Sequence, residues 1–395
     1  MNLKKLVNKG IDGLSPYEPG KPIEDLEREL GIKNAVKLAS NENPLGPSPK
    51  IIDSIEMILK ETHRYPDGNA TRLKAKIADK FDVLEDQVTI GNGSNDIIEF
   101  VARSFLGPGD SAIYSEHAFA VYPLVVQAVG AKGIEVPAKN FSHDLNAMLD
   151  SIEESTKLIF IANPNNPTGS FIEYSELIDF LEKVPEDVLV LLDQAYFEYS
   201  SYETKDIDFD VLQRFSNLVI SRSFSKAYGL AGYRVGFAVS SIEIADYLNR
   251  VRQPFNANSL ALHAAEIALG DEKFIQKCLE LNQEQKQILF TELGSLGYEC
   301  LPSRGNFISF DCKEDSKDAF NKLLLFNSST IFVISSEFLE FIVSSFSITL
   351  VYFSIKSIGD SSNSLKFILT FNNKLPNVIT NHPYKVSIYS SGPNP

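Results

Sequence analysis

Tryptophan is missing from this chain, and cysteine and methionine are scarce, with three of each in 395 residues. Cys278, Cys300 and Cys312 are too few and too scattered for a disulfide framework or a zinc cluster, which fits a reducing cytosol. Positive charge is also short: 37 Lys and Arg face 52 Asp and Glu, for a net charge of −15. With no basic excess to displace phosphate counterions, nucleic acid is excluded as the main partner. The opening "MNLKKLVNKGIDGL" lacks the apolar stretch of a secretory signal, so the expected address is the cytoplasm. The apolar texture near the other end, "SSTIFVISSEFLEFIVSSFSITLVYFSIKSI", contains Glu337 and Glu340. An acidic residue at mid-bilayer costs about 2.5–3.5 kcal/mol, so no membrane span is expected.

What remains is a soluble globular composition, with 44% hydrophobic and 23% charged residues, and a length that allows more than one domain. From about Gln87 to Phe237 the chain is rhythmic. "QVTIG", "SAIYSEH", "GIEVP", "LIFIANP", "LVLLDQAY" and "LVISRSFS" are short apolar runs rich in Val and Ile, with helical stretches such as "YSELIDFLEKV" between several of them. That alternation predicts an α/β fold with a mostly parallel, doubly covered sheet. In such a sheet ligands collect at the carboxyl ends of the strands. Ser94 or Asn95 is expected to cap the helix after "QVTIGNG". "YLNRVRQPFNANSLALHAAEIAL" and "EKFIQKCLELNQEQKQILFTELGSLG" read as helices leading out of the sheet, and "YECLPSRGNFISFDC" as strand, turn, strand, the start of a smaller α+β domain.

The stretch "SRSFSKAYGLAGYRVGF", residues 221–237, sets one lysine, Lys226, among serines, small residues and glycines, with Arg234 eight positions on. Ser223, Ser225 and Arg234 can together bind a phosphate, the arginine as a bidentate fork and the serines as neutral donors. A lysine beside such an anion site can form a Schiff base with an aldehyde, and pyridoxal phosphate is an aldehyde carrying a phosphate. That chemistry needs a carboxylate for the pyridine nitrogen. Asp193 stands at the end of the apolar run "VLVLLDQAYFEY", where it also suits a helix cap. Tyr196 and Asn166, the latter in "NPNNPTGS", can reach a ring oxygen; the asparagine equally suits a proline-stiffened turn. Gly93, Ser94 and Asn95 offer backbone N–H groups at a helix start. Phe119 can stack on a pyridine face, or simply pack in the core. Each residue is ordinary alone; their order along the chain is not.

The series resembles the fold-type I pyridoxal-phosphate aminotransferases, whose lysine signature "SFSKAYGLAGYRVGF" is similar to. More narrowly, "GLSPYEPGKP", "KLASNENPLGPSP", "HRYPDG", "NPNNPTG" and "DQAYFEY" resemble the histidinol-phosphate aminotransferases, over roughly the first four-fifths of the chain. The resemblance implies a large domain with a seven-stranded sheet and a smaller α+β domain. Residues 1–45 would form an N-terminal arm and part of the small domain, 46–260 the cofactor-binding domain, and 261–325 the linker helix and the start of the small domain. It implies pyridoxal 5'-phosphate as cofactor, with Lys226 as Schiff-base lysine and proton carrier, Asp193 on the pyridinium, and Asn166 and Tyr196 on the ring oxygen. Ser223, Ser225, Arg234 and the Gly93–Asn95 turn would hold the phosphate, with Phe119 on the ring. Tyr65, of "RYPD", would reach the cofactor phosphate of a neighbouring subunit, implying a homodimer with shared sites; Tyr17 and Asn43 would line the substrate entrance. The implied reaction is transamination of L-histidinol phosphate with 2-oxoglutarate, in histidine biosynthesis, with no metal.

One region departs from the pattern. The relatives' small domain supplies arginines for the anionic end of the substrate, whereas here no arginine follows Arg304. Lys356, Lys366, Lys374 and Lys385 remain, but an ammonium does not replace a planar fork. Residues 326–395 mix Phe, Ile and Ser without a helix or strand period, the texture of a terminal segment read out of frame or replaced, with a divergent but genuine small domain as the alternative. This leaves three alternatives beside the first reading: an aromatic aminotransferase, a pyridoxal-phosphate decarboxylase of phosphorylated amino acids, and a protein that binds cofactor but turns over poorly.

Overall fold

The computed structural model describes residues 5–15, 22–31, 36–37, 39–315, 318, 351–352 and 366–370. The chain divides into two units. The first comprises Met1–Ser15, Pro47–Asn166 and Ser170–Gln276; the second comprises Pro16–Gly46, Pro167–Gly169 and Lys277–Pro395.

In chain order the strands are β1 (Val36–Lys37), β2 (Val88–Gly91), β3 (Ser111–Ser115), β4 (Lys132–Val136), β5 (Thr156–Ala162), β6 (Leu189–Asp193), β7 (Leu218–Ser223) and β8 (Gly236–Val239), followed by β9 (Cys300–Leu301), β10 (Phe307–Asp311), β11 (Val351–Tyr352) and β12 (Lys366–Thr370). The first unit is built on a seven-stranded sheet of order β2-β8-β7-β6-β5-β3-β4. β4, β3, β5, β6 and β7 pair in parallel, and β8 runs antiparallel to both β7 and β2. The six expected runs all form strands. β8 was not foreseen, because "GFAV" is short and directly follows the glycine-rich lysine segment.

Why these runs are strands is visible in their side chains. Successive residues of a strand face opposite sides of the sheet. Leu158 and Phe160, Leu189 and Leu191, and Val219 pack into one core, with the helix Ser94–Phe105. Ile159 and Ile161, Val190 and Leu192, and Leu218 and Ile220 pack into the other, with the helices Tyr174–Leu181 and Ser259–Ala268. Where the sheet is covered on both faces, as along β5 and β6, apolar residues are needed at nearly every position, which is why those runs are continuous rather than alternating.

In the second unit β10 is the middle strand of three, antiparallel to β9 and to β12, and β1 pairs in parallel with β11. The expected strand, turn, strand of "YECLPSRGNFISFDC" is therefore present, with a further strand at Lys366–Thr370 that carries a lysine and no arginine. Most of the 326–395 segment lies outside the described residues. Among the described residues, no helix is long and apolar enough to cross a membrane.

Candidate active site

Five residues singled out in the sequence stand at or just beyond the carboxyl ends of β5, β6 and β7. Asp193 ends β6, Ser223 ends β7, Asn166 lies four residues past β5, and Tyr196 and Lys226 each lie three past their strands. Asp193 is 6% exposed. Its Oδ2 accepts from the Tyr122 hydroxyl at 2.8 Å; its Oδ1 accepts from the Ser221 hydroxyl and the Ala195 N–H, each at 3.2 Å. Burial pushes the Asp193 carboxyl above the usual carboxylate range, opposed by those three donors and by the nearby Lys226 charge. Asp193 is thus no helix cap: it is a buried acid held in one orientation.

The lysine sits in a tight turn. The Gly229 N–H donates to the Lys226 carbonyl at 3.0 Å, and the Leu230 N–H donates to the Phe224 carbonyl at 3.0 Å. Gly229 takes φ +72°, the left-handed region that a side chain disfavours. Lys226 is half-buried, and its Nζ stands 5.4 Å from the centre of the buried Tyr196 ring.

Beside the turn is an anion cradle. The Ser225 N–H donates to Ser223 Oγ at 3.1 Å, and Arg234 Nη1 approaches Ser225 Oγ at 3.5 Å. The helix Ser94–Phe105 begins here, and the expected capping residue is corrected: the N-cap is Gly93, no side chain caps the helix, and Ser94 and Asn95 are its first two residues. The reason is the backbone. Gly93 takes φ +84°, and a methyl there would stand 2.4 Å from an Arg234 guanidinium nitrogen. A methyl at Gly236, where β8 passes the helix start, would stand 2.6 Å from the Ser94 nitrogen. Glycine at both positions lets a guanidinium, two serines and a run of helix N–H groups converge, an arrangement suited to a phosphate. Gly93→Ala is expected to cost about 1–3 kcal/mol of stability from the strained φ and to displace Arg234. Phosphate-ester affinity should fall at least about tenfold, read by titration of the folded variant.

A polar network that sequence reasoning missed lies behind these strand ends. Arg222, 1% exposed, donates through Nε and Nη2 to Gln194 Oε1, both at 3.2 Å, and through Nη2 to Asp208 at 2.9 Å. Its guanidinium lies 3.3 Å from the centre of the Phe197 ring and 4.1 Å from that of Phe209. An arginine inside a run as apolar as "LVISRSF" is the signal for such a network, since a buried charge needs partners. Burial pushes Glu198 up to about 7, against the Arg222 charge and the Tyr228 hydroxyl, and burial pushes Asp206 up to about 6. Both carboxyls bind protons more tightly folded than unfolded, so their contribution to stability is full at low pH and is lost as pH rises toward 7. Glu198→Gln removes that share. Between pH 5 and 7.5 the variant is expected to lose about 2 kcal/mol less stability than the parent, by denaturant unfolding at each pH.

The remaining candidates are spread more widely. Phe119 is half-buried, with its ring edge to face with Tyr122 at 5.9 Å. Asn166 is half-buried; its neighbour Asn165 ties the loop by donating to the His117 carbonyl at 2.8 Å. Tyr65 is 83% exposed and stacks on Phe255 at 4.7 Å. Asn43 belongs to the second unit, where its amide donates to Cys278 Sγ at 3.2 Å and its oxygen accepts from the Leu45 N–H at 2.9 Å. Tyr17 lies outside the described residues. Tyr122 and Ser221, the Asp193 donors, were not foreseen: a tyrosine in "FAVYP" reads as core.

Residues 33–350 match the family model for aminotransferase class I and II. Histidinol-phosphate aminotransferase 1 of Mannheimia succiniciproducens is 51% identical over 324 residues, 82% of this chain and 88% of that protein. The chain belongs to the histidinol-phosphate aminotransferase family. Histidinol-phosphate aminotransferase 2 of Pseudomonas fluorescens Pf-5 is 53% identical over 321 residues, 81% of this chain and 87% of its own. The crystal structure of the histidinol-phosphate aminotransferase of Sinorhizobium meliloti, in complex with pyridoxal-5'-phosphate, superposes with a TM-score of 0.75 at 26% identity, over 84% of this chain and 90% of that one. The expected fold type is therefore the observed one, and the chain is an aminotransferase.

Proposed function

We propose that this aminotransferase moves the amino group of L-histidinol phosphate to 2-oxoglutarate, giving imidazole-acetol phosphate and glutamate, with pyridoxal 5'-phosphate held at Lys226. The observation that carries the cofactor reading is the convergence, within one unit, of a lysine turn, a buried three-donor carboxylate and an anion cradle. The fit can be judged at Gly93, where a side chain would displace the Arg234 guanidinium, and at Gly236, where it would push the backbone of the helix start away from β8. The substrate pair follows from the family, which favours transamination over the decarboxylase, the aromatic aminotransferase and the impaired binder.

When bound, pyridoxal phosphate supplies an electron sink for the carbon that loses its proton. The chain's own residues do the rest. Lys226 would hold the cofactor covalently and would carry the proton from the substrate's α carbon. Asp193 would keep the ring nitrogen's proton in place. Arg234, Ser223, Ser225 and the N–H groups of the Gly93–Asn95 turn would bind the phosphate and exclude water from it. Phe119 would cover one ring face, and Asn166 and Tyr196 would hydrogen-bond the ring oxygen. Tyr17 and Asn43 are assigned to the substrate by the family motifs alone.

The working form is a homodimer in which Tyr65 reaches the neighbour's phosphate. In support, Tyr65 stands out from its own surface, with Phe255 beside it and Ile52, Met57 and Leu59 exposed on or at the end of the helix Pro49–Leu59. The location is cytoplasmic, since a phosphorylated substrate is a charged species that does not cross a bilayer unaided.

The test is borohydride reduction of cofactor-loaded protein followed by peptide mapping, with the pyridoxyl label expected on Lys226. Label elsewhere, or none, overturns the cofactor reading. Histidinol phosphate should bleach the long-wavelength absorbance where phenylalanine and threonine phosphate do not; the reverse order overturns the substrate assignment.

A further inference from the structure

The Asp193 carboxylate is supplied with donors unequally. A carboxylate offers about four lone-pair sites. Ser221 and the Ala195 N–H take two on Oδ1 at 3.2 Å, and Tyr122 takes one on Oδ2 at the shortest distance, 2.8 Å. Among the described residues, that leaves one site for a donor from outside the chain. Tyr122 is fully buried, and burial together with the Asp193 charge keeps its hydroxyl protonated, hence a donor at any physiological pH. Its ring is set by the sheet: it stacks on Phe160 of β5 at 4.7 Å and 13°, and it meets Phe119 edge to face, at 5.9 Å and 84°. A single side chain thus touches both the acid assigned to the ring nitrogen and the aromatic assigned to the ring face.

We propose that Tyr122 is a positioning residue for transamination, its hydroxyl keeping Asp193 ionised against the ring nitrogen and its ring holding Phe119 in place. This rests on the reading that Asp193 faces that nitrogen. The chemistry concerns one proton shared between the nitrogen and Asp193. Donation from Tyr122 stabilises the carboxylate, so the proton stays on nitrogen and the ring stays cationic. Without that donation the proton moves to Asp193, which becomes a neutral acid, and the ring nitrogen loses its charge. No other atom or electron is transferred.

Tyr122→Phe separates the two roles, because the ring remains and only the oxygen is lost. In the cofactor-loaded dimer a less cationic ring leaves the proton on the linked Lys226 nitrogen to higher pH. The midpoint of the absorbance titration is therefore expected to rise by roughly one unit, the size of one lost charge-assisted bond. The kcat with histidinol phosphate should fall about 10- to 100-fold, with KM within about threefold and cofactor affinity nearly unchanged. Tyr122→Leu removes the ring as well and should weaken cofactor binding by about tenfold more. In an Asp193→Asn background, Tyr122→Phe should move the midpoint no further. A merely structural role would lower the melting temperature of the protein and leave the midpoint where it was.

An unmoved midpoint and unchanged kcat in Tyr122→Phe, with Lys226 still labelled by borohydride, overturn this proposal alone. So does a midpoint shift that persists in the Asp193→Asn background. Failure to label Lys226 in the parent protein overturns the cofactor reading, and this proposal with it.

Discussion

Lys226→Ala is expected to lower turnover of histidinol phosphate by at least about 10⁴-fold and to abolish the borohydride-fixed pyridoxyl label. Two contributions vanish together. The covalent attachment is lost, and so is the base that moves the proton, itself worth about 10²–10⁴-fold. The fold should survive, because the turn is held by backbone bonds from Gly229 and Leu230, and the serines and Arg234 of the cradle do not depend on the lysine side chain. Phosphate esters should therefore still bind. Removing the Lys226 charge also removes one of the influences that lower the Asp193 pKa, so Asp193 should titrate higher in the variant. Steady-state kinetics on the folded variant checks this; turnover within tenfold of the parent would falsify the assignment of Lys226.

Asp193→Asn is expected to lower kcat by roughly 10³-fold while leaving the fold nearly as stable as the parent. The shape of the side chain is kept: its amide oxygen still accepts from Ser221 and the Ala195 N–H, and its NH2 group can donate one hydrogen to the Tyr122 oxygen, so neither buried hydroxyl is left without a partner. What changes is the charge opposite the ring nitrogen. An amide N–H donates to an uncharged nitrogen and stabilises the form that is the poorer electron sink, and a lost electrostatic partner of a developing charge is worth about 10²–10³-fold or more. Asp193→Ala differs in the expected way: kcat falls as far, and stability also drops by about 1–3 kcal/mol, because two buried donors lose their acceptor. Comparing thermal unfolding and kcat across the two variants separates the roles. Equal activity of Asp193→Asn and the parent would remove Asp193 from the chemistry.

Much of this arrangement was legible before any coordinates. The inner runs are strands because a doubly covered sheet demands apolar residues at consecutive positions, a demand visible in "LIFIANP" and "LVLLDQAY" alone. The polar residues that follow those runs fall at the strand ends for the same reason. Legibility failed where the deciding contact is distant in sequence. Tyr122 and Asp193 are 71 positions apart, and nothing in "FAVYP" announces which acid the hydroxyl will meet. Ser94 and Asn95 are good capping types, yet the close passage of β8 at Gly236 and of Arg234 at Gly93 leaves the helix start to glycine. Arg222 was a strand residue by pattern; its enclosure by Gln194, Phe197, Asp208 and Phe209 comes from two other segments of the chain.

The amino-acid sequence by itself determined the chemical inventory: one lysine in a small-residue turn, an acid after an apolar strand, and phosphate donors arranged in a recognisable order. Those are properties of short segments, set by local backbone preference and by the burial each run requires. Only the tertiary structure decided which hydroxyl holds which carboxylate oxygen, where the guanidinium lies, and which charges are buried. Strand order brings β5, β6 and β7 side by side, and hydrogen bonds act over about 3 Å, so partners far apart in the chain are chosen by packing.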